Sequence, residues 1–128
     1  MKTLTKTSTL LAIALLISST INAQRLFNYT KVVYYKPKGG LHKTPSPWEN
    51  CTFKGEKEEK GCIIKDNVNA TIKIKQEEKS KPEIHDIYYV RKGFIRFHGG
   101  DELHEFSNSK GNEVALWMEK KKMWKVFQ

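Results

Sequence analysis

The segment Phe94 to Phe106, FIRFHGGDELHEF, places His98, Asp101, Glu102, His104 and Glu105 within eight residues. Imidazole and carboxylate together can ligate Zn²⁺ or Cu²⁺. They can also pair a general base with an orienting acid. Gly99-Gly100 would let the chain fold His98 toward His104. His98, Asp101, Glu102 and His104 are therefore the candidate metal set. Their spacing matches no established metal motif, and a polar loop between strands accounts for the same residues. No cofactor is otherwise expected.

The second constellation is charge beside aromatic rings. The chain has 128 residues, with Lys plus Arg at 23 and Asp plus Glu at 14, a formal +9. Lysines cluster at 31, 36 and 38, at 73, 75, 79 and 81, and at 120–122 with Lys125. Arg91, Lys92 and Arg96 add to them. A field of this sign attracts acidic glycans, lipid phosphates and other anions. Tyr34, Tyr35, Tyr88, Tyr89, Trp117 and Trp124 can supply stacking faces beside those cations. These six form the candidate ligand surface. The competing expectation for Trp117 and Trp124 is a place in the core. Lysines also occur on solvated faces and on sheet edges, where they block aggregation.

Catalysis has no further support. Walker A, GxGxxG, GxSxG, HExxH and CxxC patterns are all missing from the sequence. No serine sits in a nucleophile context. His85 and Asp86 are neighbours whose side chains would diverge on a strand. The reading leans away from an enzyme.

Residues 1–23 read as a cleaved secretory signal peptide. Lys2 and Lys6 precede a short apolar run ending at Ile17, and Ala23 is a suitable last residue. The run is too short to cross a bilayer, which takes about 20 apolar residues. The ending Asn22-Ala23-Gln24 resembles leaders of Gram-negative exported proteins. Residues 24–128 then form a single domain, carry +7 once Lys2 and Lys6 are gone, and contain no transmembrane segment. A periplasmic or secreted location follows, and export makes nucleic acid an unexpected partner. Asn28, Asn50 and Asn69 head glycosylation sequons, which matter only in a secreting eukaryote.

In an oxidising compartment the two cysteines, Cys51 and Cys62, are expected to pair. Such a disulfide would contribute about 2–3 kcal/mol by closing a short loop. It would clamp a hairpin with arms Cys51–Lys54 and Cys62–Lys65 and a charged tip, Gly55–Gly61.

Several segments read as strands. Lys31–Lys36 is dense in β-branched and aromatic residues. The interval 37–50, broken by Gly39-Gly40, Pro45 and Pro47, reads as a loop. Val68–Lys75 alternates, with Val68, Ala70, Ile72 and Ile74 on one face. Two strands between Asp86 and His98 are joined at Arg91-Lys92-Gly93. Residues 107–112 read as a turn. Glu113–Gln128 favours a hairpin with Trp117 opposite Trp124; a C-terminal helix is the alternative and would give an α+β fold. The expectation is a mainly β fold: one small antiparallel meander, barrel-like or a sandwich.

The functional expectation is a small exported non-catalytic binding or interaction protein. Its ligand would be anionic or apolar, or its partner a protein. One alternative is a metal-binding protein or hydrolase built on the His98–His104 segment. Another is a secreted inhibitor or immunity-type protein inserting residues 53–61.

Overall fold

The computed structural model describes residues 23–109 and 111–128. All but the last residue of the proposed leader lie outside the described residues. Eight strands run in chain order: β1 (Ala23–Pro37), β2 (Cys51–Asp66), β3 (Thr71–Gln76), β4 (Glu83–Arg91), β5 (Phe94–Phe97), β6 (Glu102–Asn108), β7 (Gly111–Met118) and β8 (Met123–Phe127). Each pairs antiparallel with the next, and β8 returns to β1 through Val32–Tyr35 against Trp124–Phe127. The meander thus closes into a barrel, while Cys51–Lys60 of β2 pairs with β1 alone and extends past the closed part. No helix is present among the described residues, so the α+β alternative is set aside.

Alternation along the strands fills the inside. Val32, Ile63, Ile72, Ile74, Phe97, Leu103, Val114, Leu116 and Phe127 are buried there together with Tyr29. Tyr29 and Glu59 put polar atoms in this interior. The Glu59 carboxylate lies 3.5 Å from the Tyr29 hydroxyl and from Lys125 Nζ, and 3.4 Å from Lys57 Nζ. Burial, reinforced by the Glu59 charge, pushes the Tyr29 phenol well above its ordinary range.

A second core lies outside the barrel wall. Val33, Ala115, Trp117, Trp124 and Val126 point away from the interior and are still buried. Residues 38–50 cover them. The loop is closed at its base by Lys38 N–H donating to Asn50 O, 2.8 Å. Its Ser46 and Pro47 are buried. This explains why β7 and β8 are apolar on both faces. Their hairpin forms as expected, and Trp117 pairs with Trp124, ring centroids 5.4 Å apart.

The cysteine expectation is overturned. Cys51 and Cys62 both lie on β2, which is continuous, and both are free thiols. Ten residues of strand lie between them, and the eleven steps span roughly 35 Å, whereas a disulfide needs Cα atoms about 6 Å apart. The charged segment Gly55–Gly61 is therefore strand and not a hairpin tip. It pairs with β1, and Glu56 meets Lys31 across the pair at 3.2 Å. The insertion loop imagined for an inhibitor is absent with it.

One further boundary shifts. β3 starts at Thr71, because Asp66 folds the preceding residues into a turn. Its Oδ1 accepts the N–H groups of Val68 and Asn69. Ala70 there has a φ of 52°, and Val68 is exposed instead of facing the core.

Candidate ligand surface on the outer face

Glu102 is the centre of the segment singled out for chemistry. Its side chain is only 2% exposed. Oε1 accepts from Lys43 Nζ at 2.6 Å and lies 2.7 Å from His104 Nε2. Oε2 accepts from Arg96 through Nε, at 2.9 Å, and through Nη2. Burial alone would raise this carboxyl; the Lys43, His104 and Arg96 donors outweigh it and hold it at about 2. Such a group is a permanent counter-ion and a poor proton carrier. Its work is to tie the loop, through Lys43, to β5 and β6.

The proposed metal set does not assemble around it. Glu102 and His104 touch. Asp101 instead accepts the Glu119 backbone N–H at 2.8 Å, which braces the β7–β8 turn. His98 is exposed and leans on the Tyr88 ring. Among the described residues no three His, Cys, Asp or Glu side chains come together as a metal would require. Burial also lowers the pKa of His104, partly offset by Glu102. A neutral ring, protonated on Nε2, then donates to Glu102.

His104 belongs to an aromatic stripe on the outer wall. Its ring is nearly parallel to Phe94 on one side, 4.8 Å away, and to Phe106 on the other, 5.8 Å away. Trp124 meets it edge-on at 5.2 Å and then meets Trp117. In the other direction Phe94 meets Tyr89 at 6.0 Å, and Tyr89 meets Tyr88 at 5.5 Å. The loop buries one end of this stripe. Trp48 packs on Phe106, Trp124 Nε1 donates to Thr44 Oγ1 at 3.0 Å, and Lys43 lies over Phe94. The other end, on β4 and β5, is open.

A bulge creates that open end. Ile87 pairs with Phe97 and faces inward, yet Tyr89 pairs with Arg96 and faces outward. The extra residue, Tyr88, also lies outside, against His98. Two adjacent tyrosines thus share one face, which a regular strand forbids. Tyr88 is 64% exposed. Arg91 sits over the Tyr89 ring at 4.7 Å, and Arg96 at 5.4 Å. Arg96 is committed to Glu102, whereas Arg91 has no carboxylate partner among the described residues.

The six aromatic candidates are therefore divided. Tyr88 and Tyr89 form the open platform. Trp117 and Trp124 are fully buried and belong to the outer core. Tyr35 packs on Phe53 at that core's edge. Tyr34 points into the barrel, beneath Lys125. Phe94 is the platform member that sequence reading missed; Arg91 appeared there only as one charge among many. The pattern Tyr-Tyr-Val-Arg before a glycine turn was their one signal. Comparison with family models, curated proteins and solved structures finds no match to this chain.

Proposed function

We propose that this is a small exported, non-catalytic binding protein that holds an acidic sugar chain on the platform of Tyr88, Tyr89 and Arg91, which the half-buried Phe94 supports from beside. The observation that carries the reading is the bulge that turns both tyrosines outward. Bulges give up ladder hydrogen bonds and often serve to re-aim a side chain beside a functional site. An exposed ring at 64% gains free energy when a flat, partly apolar partner covers it. A pyranose ring is such a partner. Arg91 next to the ring supplies a cation for a carboxylate or sulfate on the same sugar. The surplus of basic residues raises the local concentration of an anionic chain.

Isothermal titration with tetragalacturonate tests this. Neutral maltotetraose is the control. Binding of the acidic tetrasaccharide, at least tenfold weaker in Tyr88→Ala and in Arg91→Ala, supports the reading. Both positions are solvent-facing, so both variants are expected to keep the wild-type circular dichroism spectrum. Equal binding by wild type and both variants, or preference for the neutral sugar, rejects it.

A further inference from the structure

We infer that one end of the barrel is a second binding site, for a short-chain carboxylate. This end gathers the start of β1, the end of β2, the β4–β5 turn and the β6–β7 hairpin. A recess of about 170 Å³ opens there, lined by Leu26, Val90, Ile95, Leu103 and Val114. Leu103 and Val114 also close the inner core. A cavity of about 150 Å³ with aliphatic walls is enough for benzene, so this one suits a chain of about six carbons. Eight-stranded barrels are wide enough inside for one small ligand when side chains do not fill them.

Two residues show that the recess is open and polarised. Val90 pairs with Ile95 and therefore faces inward, yet it is 55% exposed. Lys65 also faces inward. It follows buried Ile63 by two positions and pairs with buried Ile72. An inward lysine above an apolar floor has an evident complement in an anionic headgroup, and among the described residues Lys65 makes no ion pair. Arg91 and Glu105 are the other charged groups on the lining. Two cations against one carboxylate leave the mouth net positive. A carboxylate head at Lys65 with its tail toward Leu103 and Val114 satisfies both the charge and the apolar wall.

Methyl-resolved NMR of the purified protein, titrated with hexanoate, hexanol and hexylamine, tests the assignment. Hexanoate is expected to shift the Leu103 and Val114 methyl signals. Hexanol and hexylamine should bind at least tenfold more weakly. Lys65→Ala should weaken hexanoate at least fivefold, and Glu105→Gln should tighten it. Tyr88→Ala should leave it unchanged, because Tyr88 does not line the recess, whereas Arg91 borders both surfaces. Unmoved Leu103 and Val114 signals at saturating hexanoate, or hexylamine binding as tightly as hexanoate, would overturn the assignment.

Discussion

Tyr88 and Tyr89 are consecutive in the chain, and their rings lie on the same outer face of β4, centroids 5.5 Å apart at 60°. The bulge between Ile87 and Tyr89 is what makes this possible. The outer aromatic stripe continues from them to Trp124 beneath the loop. One end of a single stripe is thus covered by the loop, and the other is open to solvent.

Glu102 is the charged attachment of the loop, beside the Trp124–Thr44 hydrogen bond and the Trp48–Phe106 contact. Glu102→Gln removes the charge shared by Lys43, Arg96 and His104. Stranding buried charges commonly costs about 3–5 kcal/mol. Here Lys43 and Arg96 are 34% and 40% exposed and can turn to water. The expected loss is therefore smaller, about 2 kcal/mol by denaturant unfolding. Amide exchange should quicken in residues 41–48 before it does in β7. Unchanged stability would show that the ion cluster contributes nothing net.

Acid should act on the same cluster in two stages. The folded pKa of His104 is lowered, so its contribution is present above the unfolded value near 6.5 and is lost as pH falls through it. Glu102 is lowered to about 2, so its contribution is complete above the unfolded value of 4.5. It declines between about 4.5 and 2. The melting temperature should therefore fall modestly below pH 6.5 and more steeply below 4.5. Glu102→Gln should flatten the second stage. A melting temperature constant from pH 7 to 3 would contradict this.

Gly61 faces inward on β2. A methyl group there would run into the Lys75 carbonyl oxygen and the Tyr29 hydroxyl. Backbone and a buried ring cannot both yield without disturbing the Glu59 contact. Gly61→Ala is expected to cost about 3 kcal/mol, at the upper end for overpacking. Calorimetric melting checks it. A neutral effect would mean that the β2–β3 pairing is looser than its register indicates.

Both cysteines should carry free thiols. Alkylation under denaturing conditions, without reductant, should add two groups per chain as read by intact mass. An unalkylated chain two hydrogens light would restore the intramolecular disulfide and break the continuity of β2.

Much of the architecture was legible because it depends on local signals. Gly93 at φ 88° joins β4 to β5 where the Arg91-Lys92-Gly93 sequence indicated. The doubly apolar runs of β7 and β8 implied cover on both sides, and the loop at 38–50 supplies the outer cover. What failed depended on distant partners. Gly55–Gly61 resembles a solvated turn until Lys31 and the inward side of β1 lie opposite it. Cysteine count carries no geometry, so the disulfide expectation did not account for an unbroken strand. The site was half legible. Two neighbouring tyrosines could be named, but their shared face comes from a register slip that no periodicity records. Glu102 and His104 drew attention as chemistry; in the structure Glu102 ties the loop to the barrel wall, because Lys43, far away in sequence, completes the set.

The central claim is that the open end of the aromatic stripe is a ligand surface. The most direct measurement is a ¹⁵N–¹H correlation NMR titration with tetragalacturonate at low ionic strength. Saturable shifts are expected, concentrated in residues 86–98, with the Arg91 side-chain signal among them and strands β2 and β3 unmoved. Shifts confined to other faces of the barrel, or no shifts at all, would contradict it.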